Sequence, residues 1–141
     1  MEGVFSVPAG SPITSVVDVD RAGVRIGVKR GSAYDLFLTR TLRHARVVRG
    51  DEGTEVFRAE ALEVAAGLRR PMTEFVARHP ENGLVEGRFM QIQQAVGTTR
   101  SRQPDTVRFL SYIVEELKAT GFVADSLRRA GRSDTLVAPP A

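Results

Sequence analysis

With 141 residues, 42% apolar and 26% charged, the chain has ordinary globular composition and enough length to bury one core, which excludes a disordered segment. It has no cysteine, which excludes disulfides, thiol catalysis and thiolate metal sites. The net charge of +3 is almost wholly arginine against acid, since Lys29 and Lys118 are the only lysines. The arginines are scattered, with no basic patch interleaved with aromatic residues, so no nucleic-acid partner is expected.

Met1–Phe5 has neither a basic nor an apolar signal region, so the segment gives no secretory address and, taken as a true start, implies the cytoplasm. No stretch approaches the roughly 20 apolar residues that span a bilayer. Val4–Val7 predicts a short strand closed by Pro8-Ala9-Gly10-Ser11-Pro12, a rigid turn. A brief helical turn is expected within Ile13–Asp20, ending at Arg21-Ala22-Gly23.

The central stretch is Val24–Leu42. Val24, Ile26 and Val28 alternate with Arg25, Gly27 and Lys29, the pattern of a half-buried strand. After Gly31-Ser32-Ala33, the residues Tyr34, Phe37, Leu38 and Leu42 recur at helical spacing. A strand running through a small-residue turn into a helix leaves the first N–H groups of that helix unpaired. With Ser32 as cap and hydroxyl donor, such a terminus suits a carboxylate or phosphate, although Gly and Ser also serve simply to make the bend. His44 stands at the helix end, where a histidine suits the negative end of the helix dipole.

Ala45–Arg49 predicts a second strand, Thr54–Ala61 a helix, and Leu62–Leu68 a third strand covered on both faces. Arg69-Arg70-Pro71 ends that strand, Met72–His79 predicts an amphipathic helix, and Leu84–Val96 an extended region bent at Gly87. Strands alternating with helices on short connections imply an α/β three-layer sandwich with a mostly parallel sheet. Pro104 then opens a helix whose Val107, Leu110, Ile113, Val114 and Leu117 form an apolar face. Gly121 supplies its left-handed end, with Phe122 packing back, and a helix over Val123–Arg129 follows. Thr135–Ala141 is expected to fray.

In this order the pieces resemble a family 3 extracytoplasmic solute-binding protein, the amino-acid-binding component of ABC importers. The resemblance is carried by Phe5–Ile13 with Val17-Asp18-Val19-Asp20, by Gly23–Val28, by Arg30-Gly31-Ser32-Ala33-Tyr34 and by Leu62-Glu63-Val64-Ala65. Phe89–Thr98 is similar to the return hinge, and Val114–Phe122 to the closing helix. The resemblance implies the second lobe of a type 2 periplasmic-binding fold over residues 1–98, with both hinge crossings. Residues 99–141 would be helices that pack on lobe 1. It further implies a fragment that lacks the opening strands of lobe 1, as a truncated product or the downstream part of a split gene.

The site residues implied by the resemblance are Gly31, Ser32 and Ala33, offering N–H and hydroxyl donors to a ligand carboxylate, with Arg30 at the rim. Where family members hold the ligand amine with an acid, this chain reads Gly67-Leu68-Arg69, with no acid, which leaves two readings of Arg69: recognition of an acidic group, or an exposed structural arginine. Thr98 and Thr99 approach the cleft or cap the next helix. Glu63 is assigned to structure, and Asp35, Glu55 and Glu60 to solvated helix faces. The implied ligand is an amino acid or related small polar or anionic solute, with ABC permease subunits of the inner membrane as partners and a periplasmic location. A missing lobe, or self-association through the C-terminal helices, would cover the apolar helix face. No cofactor, metal site or catalytic residue is expected, since no Ser–His–Asp order, metal-spaced histidine pair or phosphate loop occurs. The alternatives are a dehydratase-like enzyme on the same fold and a cytoplasmic effector-binding or non-functional fragment.

Overall fold

The alternation of Val24, Ile26 and Val28 marks the strand on which the sheet is built. In a computed structural model of the chain, which describes residues 1–132 and 135–141, this stretch is an inner strand with Ile26 and Val28 fully buried. The elements run β1 (Glu2–Pro8), a 3-10 turn (Val16–Asp18), β2 (Arg25–Lys29), α1 (Ala33–Thr41), β3 (Arg46–Gly50) and α2 (Gly53–Ala59). They continue with β4 (Val64–Leu68), α3 (Arg69–Arg78), β5 (Asn82–Leu84), β6 (Met90–Gln91), α4 (Pro104–Ala119) and α5 (Phe122–Arg129). The chain divides into two compact units, residues 2–92 and residues 93–141 with Met1.

The first unit is an α/β sandwich on one sheet of order β3-β2-β4-β1-β5, with β6 also against β1. The sheet is mixed rather than mostly parallel. β2 runs parallel to β3 and β4, but β1 runs antiparallel to β4, β5 and β6. The cause lies in the connections. A parallel neighbour needs a crossover, which α1 and α2 supply, whereas only a 3-10 turn lies between β1 and β2. The helix α3 carries the chain from β4 over β1 to β5, leaving β1 enclosed between two strands that oppose it.

Side chains alternate across this sheet and divide the core in two. Phe5, Val7, Ile26, Val28, Val64 and Ala66 pack on one face with Tyr34 and Leu38 of α1. Val4 and Ala65 face the other way, under Val56 and Phe57 of α2 and Met72 and Phe75 of α3. Gly27 therefore does not lie on a solvent face as its polar neighbours suggest. It is buried beneath α2, where a Cβ would come within 2.6 Å of the Gly53 carbonyl oxygen. Gly53 is equally confined, since a Cβ there would meet the carbonyl oxygens of Ala66 and Gly27 at 2.9 Å. Two missing side chains let the start of α2 rest directly on β2 and β4.

Three boundaries differ from expectation. The helix α3 begins at Arg69 rather than after Pro71, because a proline in the first turn removes an N–H that has no helical acceptor anyway. The extended region over 84–96 is two short strands on the same flank of β1, parted by a loop in which Gly87 has φ +92°, and it ends at Gln91. Phe122 opens α5, one residue before the expected start, and is 53% exposed.

In the second unit Pro104 is the first residue of α4, and Gly121, at φ +80°, separates α4 from α5. Neither helix has a fully buried residue, and Phe109 and Tyr112 are 62% exposed. The closing segment is tied back to α4, because Lys118 Nζ donates to the Pro139 carbonyl oxygen (3.0 Å) and the Ala141 N–H to Glu115 Oε2 (2.6 Å). Among the described residues no helix is long and apolar enough to cross a membrane.

The Gly27–Gly53 contact sets an expected outcome. Gly27→Ala forces α2 off the sheet and lowers stability by about 1–3 kcal/mol, the range of overpacked cores. Gly83→Ala, where a Cβ meets nothing within 4 Å, changes it by less than about 0.5 kcal/mol. Urea midpoints of the two variants read the difference.

Candidate functional site

The parallel strands β2, β3 and β4 end at one edge of the sheet. From β2 the chain turns to α1 on one face, and from its neighbour β4 it turns to α3 on the other. Adjacent strands whose connections diverge in this way open a crevice at their carboxyl ends, the position at which open α/β sheets take ligands. The residues brought to it are Arg30, Gly31, Ser32 and Ala33 after β2, and Arg69 after β4. These are the residues picked from the sequence, and they share one edge.

The turn after β2 is held from within. Gly31 has φ +72°, a backbone conformation that a side chain would strain. Its N–H donates to Asp35 Oδ2 (2.9 Å), and the N–H of Ser32 donates to the Lys29 carbonyl oxygen (3.2 Å). The Ser32 hydroxyl caps α1 by accepting from the Asp35 N–H (3.1 Å). Two of the expected donors are thus engaged by the protein itself. Among the described residues the N–H groups of Ala33 and Tyr34, the first two of α1, have no acceptor, and the exposed Arg30 guanidinium has no carboxylate partner. Tyr34 packs beneath the turn, and burial pushes its phenol up from the ordinary value.

Asp35 corrects an expectation. Its carboxylate is not solvated on a helix face but buried, at 2% exposure. Arg49 Nε lies 3.0 Å from both of its oxygens, and Thr39 Oγ1 donates to Oδ1 at 3.1 Å. Burial pushes this carboxyl up, but hydrogen bonds from Arg49, Gly31 and Thr39, with the charge of Arg49, outweigh that and hold it below the usual carboxylate range. The signal was present in the sequence as a topological fact, since a helix between two adjacent parallel strands starts beside the end of the second. Arg49, the penultimate residue of β3, is therefore near the first turn of α1.

Arg69 differs from Arg30 in being engaged by the protein, and the other candidates are not part of this edge. Arg69 Nε donates to Glu2 Oε2 (2.5 Å) and its Nη2 to the Gly87 carbonyl oxygen (3.0 Å). Glu2 also accepts from Arg88 Nη1 (2.7 Å), and neither Glu2 nor Arg88 was singled out from the sequence. Lys29 is matched with Glu52 at 2.5 Å. Glu63 lies at the opposite edge, where it takes both Nε and Nη2 of Arg25 at 2.9 and 2.8 Å, a structural fork. Thr98 and Thr99 belong to the second unit, ahead of α4, whose cap is Gln103. Among the described residues no group of three or more His, Cys, Asp or Glu is arranged to hold a metal ion.

No family model and no curated protein matches the chain. Its fold is shared with solved solute-binding proteins. A mutant of ArgBP from T. maritima matches over 91% of this chain and 56% of its own, with 20% identity and a TM-score of 0.63. A protein described as a binding component of an ABC transporter from Wolinella succinogenes, complexed with lysine, matches over 91% and 57%, with 14% identity and a TM-score of 0.63. The cysteine-binding protein of Campylobacter jejuni matches over 91% and 52%, with 17% identity and a TM-score of 0.59. The chain thus spans little more than half the length of each of these structures.

The buried pair gives a signed pH dependence. A carboxyl depressed in the folded state stabilises above its unfolded pKa of about 3.9, and that contribution is lost as pH falls through the lower folded value. Asp35→Asn is expected to lower stability at pH 7 by about 1–3 kcal/mol, discounted for the half-exposed Arg49. It should also flatten the loss between pH 5 and the acid limb. Chemical denaturation at several pH values measures both.

Proposed function

We propose that this chain is a lobe of a solute-binding protein of an ABC importer, taking an amino acid or related small polar or anionic solute without transforming it. The observation that carries the reading is the divergent β2/β4 edge, where Arg30 and the open N–H groups of α1 follow β2 within one turn of chain. It occurs in a fold shared over 91% of the chain with proteins named for, or solved with, amino acids.

In this reading the ligand carboxylate lies against the Ala33 and Tyr34 N–H groups and the Arg30 guanidinium. The helix terminus and the arginine supply converging positive potential there. Ser32 and Gly31 shape the turn and lend a hydroxyl to its rim, and Arg69 frames the other wall. Residues 1–98 act as the ligand-holding lobe with its two crossings, and 99–141 as helices for a complementary lobe. That lobe closes the site, and permease subunits receive the loaded protein outside the cytoplasm.

Thermal unfolding of the full chain with arginine, lysine, glutamine and cysteine tests this. A ligand that binds only the folded state raises the midpoint with concentration. At least one is expected to do so, with calorimetry giving the affinity. Arg30→Gln should weaken that binding by about 1.5–3 kcal/mol, and Ser32→Ala by about 0.5–1.5 kcal/mol. No midpoint shift with any of the four removes the reading, and an unchanged affinity in Arg30→Gln removes Arg30 from the site.

A further inference from the structure

We propose that Glu2 is a built-in carboxylate that occupies the guanidinium pair of Arg69 and Arg88 and thereby sets the charge selectivity of the β2/β4 edge against solutes carrying a second carboxylate. The inference rests on the solute-binding reading above and names the ligand class more closely: a monocarboxylate whose remaining groups are neutral or basic.

Arg69 follows β4 directly and opens α3, which makes it the cation that an acidic side chain entering from β2 would meet. Its Nε is instead taken by Glu2 Oε2 at 2.5 Å, while the other oxygen of the same carboxylate takes Arg88 Nη1 at 2.7 Å. The second nitrogen of Arg69 that donates, Nη2, is turned to the Gly87 carbonyl oxygen at 3.0 Å.

The carboxylate is placed there by the sheet and not by a loose terminus. Glu2 pairs with Gln91, and Gly3 pairs with Leu68 on one side and Met90 on the other. The hydrogen bonds from Arg88 and Arg69 hold the Glu2 carboxyl below its ordinary range, so it stays ionised across the neutral range.

A carboxylate arriving from solution has to displace one that is already tethered. Tethering by even a short flexible linker amounts to an effective concentration of the order of millimolar, and a strand-fixed group loses less entropy still. An arriving neutral or cationic group displaces nothing, and beside Glu2 it meets no unpaired cation. Arg30 differs. Among the described residues its guanidinium has no carboxylate partner. The edge therefore presents Arg30 open, while Arg69 and Arg88 each already donate to an oxygen of Glu2, so one carboxylate finds an open guanidinium and a second has to compete with Glu2.

The test compares the full-length wild type, Glu2→Gln and Glu2→Gln/Arg69→Gln, with succinate as the probe. Arginine Nε–H signals are followed by NMR. Glu2→Gln should bind succinate at least tenfold more tightly than the wild type and shift the Arg69 signal, and the double variant should lose the gain. Glu2→Ala serves as the second variant, with the same expectation. Equal succinate affinity with and without Glu2, or a gain that survives Arg69→Gln, overturns the proposal. A parallel titration of the wild type with glutamine and glutamate reads the underlying function separately. If neither of these binds and none of arginine, lysine and cysteine shifts the midpoint, the solute-binding reading fails while the succinate comparison still decides the role of Glu2. If both bind equally, the selectivity assigned to Glu2 fails while the solute-binding reading survives.

Discussion

One buried carboxylate ties together the parts of the first unit that form its candidate ligand edge. Asp35 receives the N–H of a glycine in left-handed conformation, a threonine hydroxyl one turn along its own helix, and the guanidinium of Arg49 at the end of the neighbouring strand. Removing a charge from water is unfavourable unless every lone pair is met, and here the partners come from the turn, from α1 and from β3. The geometry of the Arg30–Ala33 turn is thus a consequence of that satisfaction. Because the Gly31 N–H is spent on Asp35, the donors left for a ligand are those of Ala33 and Tyr34, one step further into the helix.

The layering beneath this edge depends on side chains that are not there. Glycine at 27 and 53 lets α2 settle on the two central strands, so the second layer sits low enough for Val56 and Leu62 to close over the sheet. On the opposite edge, Arg25 and Glu63 form a planar fork between β2 and β4. The two ends of the same strand pair are thus chemically unlike. One is closed by a matched ion pair, and the other carries open N–H groups and an unmatched arginine.

Much of this was legible in the residues. Alternation in 24–28, the Gly-Ser turn and the helical spacing after it placed β2 and α1, and together they located one side of the edge. The α/β class followed from strands and helices taking turns. What the sequence could not convey was direction and burial. Nothing in Val4–Val7 says that β1 opposes β4, because an antiparallel strand and a parallel one carry the same apolar pattern; only the missing crossover helix distinguishes them. Asp35 looked like an ordinary first-turn acid because its partner lies 14 residues on, and Glu2 looked like a terminal residue because its partners lie 67 and 86 residues on. Period and propensity are local quantities, and charge matching across a sheet is not.

The enclosure of β1 has a consequence for how the unit is made. The strand that comes first in this unit pairs with β4 on one side and with β5 and β6, residues 82–91, on the other. The β2-α1-β3-α2-β4 segment can assemble from neighbouring pieces as it leaves the ribosome. β1 must wait with both edges unpaired until β4, and then β5, arrive. Long-range closure of this kind slows folding and leaves an apolar strand open to mispairing in the interval. The opening strand of this unit is thus among the last of its strands to be secured, and Glu2 on it joins Arg69 and Arg88 only when that closure is complete.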